Sequence, residues 1–579
     1  MPTVHYIIAM PQPVTHLYEV TIEARGLEAT HADWIMPSWT PGSYLIREFA
    51  RHVQEFGAAD GASGRPLDWS KLDKSTWRVA IPPSGSIRVH YRVYANELTV
   101  RSSHLDADHG YFNGASVFMY SPMTRRLPQR LTVVPPAGWR VSTGLSDDDN
   151  RVEFEAEDYD HLIDCPAEIG THRVVRFEAA GRPHRLALWG HGNEDESRLA
   201  SDLAKIVEAA VQIFEGAPYE HYLFILHLTD KRRGGLEHRN SNTSGVSRFD
   251  FVKPQAYERV VELLAHEFFH TWNVKRIRPA AFDEFEYRAE NYTRLLWVME
   301  GVTSYYAPRV LQRAGLITSE RYLELLGQDY LRLLQTPGQR MQSVEQASFD
   351  AWIKHYRPDE NTQNTAVSYY LKGSLVAVSL DLWIRTSTSG ARSLDDVLRH
   401  IWHSYTEQGR GVPEEDFQAA CEAVAASSLE EFFRRYVRGL DPLPLPESLS
   451  AIGLNLTLGY KDAEPDEEHP AGLGLRLRES GGKLTVHTVF TDGPAYLADV
   501  CADDEVIALN GYRVDLAALR QGVANRRPGD AVTLHLFRRD ELRTATIVLG
   551  RRPHNKATIV RSADATQQQR FLAEGWLGA

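Results

Sequence analysis

The spacing of apolar residues changes twice along this chain, and those changes limit what it can fold into. Up to about residue 175 the apolar runs alternate. In Ile87-Arg-Val-His-Tyr-Arg-Val93, residues Ile87, Val89, Tyr91 and Val93 fall on one face, the period of a half-buried strand. Turn clusters such as Pro82-Pro-Ser-Gly85 separate these runs. From about residue 195, apolar residues recur three and four apart, as in Leu199, Leu203, Ile206 and Val207, which is helical spacing. After residue 450 alternation returns, in Leu484-Thr-Val-His-Thr-Val489 and Val532-Thr-Leu-His-Leu-Phe537. This order, in a chain of 579 residues, predicts a multidomain α+β protein whose two β-rich ends flank a mostly helical middle.

Within the middle, an apolar strand is expected over Tyr222–Leu228. The spacing predicts helices near 254–275, 292–313, 320–335, 365–385 and 393–405, with Ser393-Leu-Asp-Asp396 as a capping box for the last. One more helix is expected over Leu429–Tyr436. Asp441-Pro-Leu-Pro-Leu-Pro446 then stops it, since proline cannot continue a helix. The boundaries read as an N-terminal β-sandwich or saddle over 1–175, a helical domain over 176–440, a Pro-rich linker over 441–450, a compact β unit over 451–552 and a polar tail over 553–579.

Composition excludes several classes. With 64 Lys and Arg against 77 Asp and Glu, the net charge is −13, which argues against nucleic-acid or anionic-membrane partners, because both need clustered cations. Three cysteines far apart cannot form a disulfide framework. No apolar run reaches the ~18 residues of a membrane span. The start, Met1-Pro-Thr-Val-His-Tyr-Ile-Ile-Ala-Met-Pro, lacks the basic region of a secretory leader. The expectation is a soluble cytoplasmic protein.

The strongest chemical motif is His266-Glu267-Phe268-Phe269-His270. Residues four apart share a helix face, so two imidazoles can face one Zn2+ ion, with Glu267 placed to take a proton from its water. A catalytic zinc wants a third protein ligand and an open position. Glu300 lies in the apolar stretch Leu296–Tyr306, where an unpaired carboxylate is costly. Glu284, Glu286 and Glu290 compete for the role from a more polar segment.

His266–Pro279, together with Trp297-Val-Met-Glu-Gly-Val-Thr-Ser-Tyr-Tyr306 and Pro37-Ser-Trp-Thr-Pro-Gly-Ser-Tyr44, resembles the PDZ-containing glycyl aminopeptidase family of gluzincin zinc metallopeptidases. That family is distantly related to the aminopeptidase N and leukotriene A4 hydrolase family. The resemblance covers nearly the whole chain. It implies a thermolysin-like catalytic domain, one zinc per chain held by His266, His270 and Glu300, and removal of small N-terminal residues, glycine or alanine, from peptides. The 30 positions from His270 to Glu300 exceed the gap in the aminopeptidase N relatives.

Other segments fit that expectation. Gly234-Gly-Leu-Glu237 resembles the relatives' strand that pairs with substrate backbone, its glutamate holding the α-ammonium. Glycines there allow close backbone approach. His238 replaces the relatives' asparagine and its role is open. Ser368-Tyr-Tyr-Leu-Lys-Gly373 resembles a segment whose tyrosine donates to the oxyanion. Register assigns Tyr370, with Tyr369 the rival. Arg276 and Arg278 either hold a substrate carboxylate or complement a helix end.

The segment Gly493–Gly511 resembles the core of a PDZ domain, with Gly472-Leu473-Gly474-Leu475 where its carboxylate-binding loop belongs. The 451–552 unit is therefore expected to be a PDZ domain that captures peptide or protein C-termini or only packs. Two alternatives to an aminopeptidase remain: a zinc endopeptidase whose PDZ domain recruits substrate, and a PDZ scaffold with a relic metal site.

Overall fold

The computed structural model describes residues 2–230, 233–461 and 470–578. Two compact units are resolved. The first holds residues 1–293, 306–317 and 398–414; the second holds 294–305, 318–397 and 415–579.

The first unit begins with a six-stranded sheet. Its second strand from one end of the chain, Leu17–Arg25, pairs antiparallel with both Thr3–Ala9 and Ile87–Tyr94. The predicted face is the buried one: Ile87, Val89, Tyr91 and Val93 are at most 1% exposed. They pack with Tyr6, Tyr18, Val20 and Trp34 in one aromatic-rich core. A five-stranded sheet follows. Its strands run in the order Arg173–Ala179, Arg182–Trp189, Tyr222–Thr229, Ser241–Ser247 and Gly234–Glu237. Tyr222–Thr229 is buried along its whole length, as a central strand covered on both faces must be. Gly234–Glu237 is an edge, antiparallel to its one neighbour. Helix Glu196–Phe214 starts where the Asp195 carboxylate accepts from the Arg198 N–H at 3.0 Å. Helix Pro254–Phe269 begins on a proline, whose missing N–H costs nothing at that position.

The second unit carries a turn of π-helix, Trp297–Val302, and an α-helix begins only at Thr303, where the spacing predicts one unbroken helix. Helices Ser319–Leu334 and Tyr369–Ser387 lie close to their expected positions. Thr318 and Ser368 cap them through their hydroxyls. The Pro-rich stretch expected to be a linker contains helix Leu445–Ala451, which buries Leu445 and Leu449 completely. Proline breaks helix interiors but fits a first turn, so the same residues that end one helix start another.

The unit expected to be a PDZ domain holds strands Leu475–Ser480, Lys483–Val489, Glu505–Leu509, Ala531–Arg538 and Glu541–Val548, with helix Leu516–Ala524. Its core is Val486, Val506, Leu534, Leu536 and Ile547. The stretch after 553 is folded as well: Lys556–Arg561 pairs with Leu454–Gly459, and helix Gln567–Leu577 buries Trp576. No helix among the described residues is long and apolar enough to cross a membrane.

Candidate active site

The first unit supplies one set of functional groups. Helix Pro254–Phe269 ends at the HExxH motif, with His270 as its C-cap, five residues short of the expected end. The His270 Nδ1–H donates to the Asn273 carbonyl at 2.6 Å, and the chain turns away there. That bond places the proton on Nδ1 and the lone pair on Nε2. The His266 and His270 Nε2 atoms stand 3.1 Å apart. Two imidazole lone pairs directed at one point suit a metal cation.

Glu267 is buried beside them. A Cβ at Gly235 would lie 2.1 Å from its Oε1, so only glycine lets the edge strand approach the carboxylate this closely. Residues two apart on a strand share a face, and Glu237 stands on the same face as Gly235. Ligand atoms of Glu237, Glu267 and His270 all lie within 4.8 Å of one another. From the other side comes the segment Pro37–Tyr44. A Cβ at Gly42, where φ is +86°, would meet the two Glu237 carboxylate oxygens at 2.5 and 2.7 Å and Leu236 Cδ1 at 2.7 Å. The expected substrate strand therefore ends against a wall.

His238 has a structural task. Its Nδ1 lies 3.2 Å from Asp164 Oδ1, Lys275 Nζ reaches the same oxygen at 2.6 Å, and the Arg239 N–H donates to Oδ2 at 2.9 Å. Burial alone would raise the Asp164 carboxyl, but Lys275 and His238 outweigh it and hold it well below the usual carboxylate range. This clamp fixes the turn after the edge strand. Arg276 donates to the carbonyls of Arg239, Thr271 and Pro218, and Arg278 pairs with Asp283. Of the two readings open for these arginines, the helix-end role fits Arg276. Glu284 is exposed beside Arg126, and Glu286 pairs with Arg288.

The second unit supplies another set. Glu300, on the π-helical turn, is only 2% exposed. The next residue, Gly301, makes a close crossing with Gly373: a Cβ on Gly301 would stand 2.6 Å from the Gly373 Cα. Tyr370 lies one turn before Gly373 and so shares its face. Burial, and then the Glu300 carboxylate, push the Tyr370 phenol well above its ordinary value, so it keeps its proton as a donor. Tyr369 is fully buried and Tyr370 half-buried. His355, which no sequence motif marks, stacks on Tyr370 with ring centres 5.3 Å apart. In the PDZ domain, the Leu473 and Gly474 carbonyls accept from the Ala495 and Phe490 N–H groups. Leu475 begins an edge strand.

Sequence models of three families match: the Peptidase M61 N-terminal domain over residues 5–171, M61 glycyl aminopeptidase over 259–376 and a PDZ domain over 471–549. Among solved structures, an aminopeptidase N family protein from Idiomarina loihiensis is 32% identical, with a TM-score of 0.92 over 99% of this chain and 100% of that one. An M1 zinc metallopeptidase from Deinococcus radiodurans is 14% identical, with a TM-score of 0.47 over 76% of this chain and 95% of that one. The leukotriene A4 hydrolase of yeast, in complex with bestatin, is also 14% identical, with a TM-score of 0.47 over 76% of this chain and 68% of that one. No curated protein matches the chain.

Proposed function

Because the chain belongs to the M61 glycyl aminopeptidase family and is a metallopeptidase, we propose that it is a zinc aminopeptidase favouring peptides with a small first residue. The observation that carries this reading is the grouping of Glu237, Glu267 and His270 within 4.8 Å. A buried carboxylate this close to a general base and a metal ligand is an anchor for an α-ammonium, and it leaves room for one residue before the scissile bond. Gly42, packed against Glu237 and Leu236, supports glycine or alanine as that residue.

In this reading His266, His270 and Glu300 would hold one zinc. Zinc at such a site acidifies water and polarises a carbonyl. Glu267 accepts the proton of the attacking water and delivers it to the leaving amine nitrogen. The Tyr370 O–H donates to the substrate carbonyl oxygen as that oxygen gains charge. Gly234 and Gly235 offer backbone to the substrate, and Glu237 holds its ammonium. Peptide C-termini would add to the edge strand at Leu473, Gly474 and Leu475. An exposed free thiol, Cys501, supports a reducing compartment such as the cytoplasm.

Glycyl-, alanyl- and leucyl-naphthylamides, assayed beside N-acetylated peptides with and without a chelator, test the proposal. It predicts fast cleavage of the first two, slow cleavage of leucyl and blocked substrates, and loss of activity on chelation. Equal cleavage of blocked peptides would make the enzyme an endopeptidase. No cleavage by zinc-loaded protein would leave a PDZ scaffold.

A further inference from the structure

The edge strand that carries Glu237 leads, at its other end, into a cavity. Its volume is about 320 Å3, and Thr99, Arg101, His227, Arg233, Gly234 and Gly245 line it. Two arginines border it. Arg101 reaches the strand itself: its Nη2 lies 3.5 Å from the Gly235 carbonyl, and its two terminal nitrogens lie 3.7 and 3.9 Å from where a Gly234 Cβ would stand. Its Nε is buried without a hydrogen-bond partner. Arg233 donates to the Arg259 carbonyl at 3.0 Å. Arg101 is not ion-paired with a carboxylate among the described residues, whereas the Glu262 and Asp250 carboxylates act on Arg233; Glu97, which also lines the cavity, is exposed.

The direction of the substrate follows from where it is anchored. Glu237 is the last residue of its strand. A peptide whose ammonium sits at Glu237 pairs with the strand only by running back toward Gly234, antiparallel to it. At ~3.4 Å per residue, the three steps from Glu237 to Gly234 span about 10 Å, the length of a short peptide. The peptide meets Arg101 at Gly235, whose carbonyl that side chain reaches from the face opposite Glu237, and meets Arg233 just past Gly234. The planar fork of a guanidinium matches a carboxylate.

We infer that the Arg101–Arg233 cavity receives the C-terminal carboxylate of the substrate, which makes di- and tripeptides the preferred substrate class. This rests on the aminopeptidase reading and adds the far end of the substrate to it. The preference then has two charged ends: Glu237 recognises the ammonium, Arg101 and Arg233 the carboxylate. Longer peptides lose the second contact.

The test compares kcat/KM for trialanine, trialanine amide and pentaalanine, with alanyl-naphthylamide as the reference substrate. The zinc-loaded enzyme is expected to favour trialanine over its amide by about 10-fold or more, chiefly through KM. In Arg101→Gln, and more weakly in Arg233→Gln, that ratio falls toward one. Arg101→Lys keeps the charge without the fork and retains part of it. A wild-type ratio near one, with alanyl-naphthylamide cleaved well, overturns this inference and leaves the aminopeptidase reading intact. Failure to cleave alanyl-naphthylamide overturns both. Equal losses on acid and amide in Arg101→Gln make that residue a support for the strand and also overturn it. Ala-Ala-Asp amide separates the sources of the carboxylate: if it outpaces trialanine, the cavity reads an acidic side chain rather than a chain end, and the inference fails.

Discussion

Glu237 and Glu267 are two buried carboxylates within 4.8 Å of each other, and the proposed reaction asks different things of them. Glu267 moves a proton, so Glu267→Gln should keep metal content and fold but lower kcat at least ~10²-fold. Steady-state kinetics alongside metal analysis checks this. Glu237 selects the substrate. A hydrogen bond to a charged group contributes about 1.5–3 kcal/mol, so Glu237→Ala should lower kcat/KM on free-amine substrates by about 10- to 100-fold. N-acetylated peptides never make that bond, and their slow cleavage is the control: an equal loss on both would make Glu237 structural. The HExxH residues were legible because helix periodicity alone fixes their geometry. Gly42 lay inside a motif, but its contact with Glu237 is tertiary and no spacing expresses it. Charge was the least informative sign. Arg276 sits beside the motif, yet its guanidinium is taken by three carbonyls, while Arg101, far off in sequence, lies against the edge strand.

At the scale of elements, the crossing of the π-helical turn with helix Tyr369–Ser387 positions both Glu300 and Tyr370. Its tolerance is set by two glycines. A Cβ on Gly373 would stand 2.9 Å from the Trp297 carbonyl oxygen and 3.0 Å from the Gly301 Cα, and backbone on both sides cannot swing aside as a flexible side chain would. Gly373→Ala should therefore destabilise the protein by about 1–3 kcal/mol, the usual cost of overpacking. By shifting Tyr370 it should also lower kcat more than it raises KM. Urea melts and steady-state kinetics read the two effects; an unchanged midpoint would show that the helices can separate freely. The sequence announced a helix here but not its π turn. One extra residue per turn barely disturbs apolar spacing, and such insertions are frequent at functional sites. The Pro-rich stretch misled for a related reason: proline marks a break in one helix and a start for the next with the same φ. Strands with one covered face, such as Ile87–Tyr94, were the most legible elements, because alternation and burial report the same thing.

Over the whole molecule, buried titratable groups set how the fold responds to acid. Burial holds His104 and His184 down to about 4 and lowers His227 and His172 below their ordinary value. The unfolded chain protonates these rings near pH ~6.5 and the folded chain only at lower pH. The unfolded state therefore binds more protons in that window, and stability falls as pH falls through it. A second window belongs to the carboxylates. Glu168 accepts from His227 Nε2 at 2.9 Å and from His109 Nε2 at 3.2 Å. Burial alone would raise its carboxyl, but the two imidazoles hold it well below the usual range, as Lys275 and His238 do for Asp164. Their contribution is complete above the unfolded values of ~3.9 and ~4.3 and is lost as pH falls below them. Melting temperature should thus decline below pH ~6.5 and more steeply below pH ~4.5. Glu168→Gln separates the two windows. It leaves two buried imidazoles without an anionic partner, so it should melt lower at pH 7. With no carboxyl left to protonate at that position, its curve should also be flatter than wild type below pH ~4.5. Calorimetry across that range decides the matter: two curves that stay parallel there would mean the His109–Glu168–His227 cluster contributes nothing to acid sensitivity.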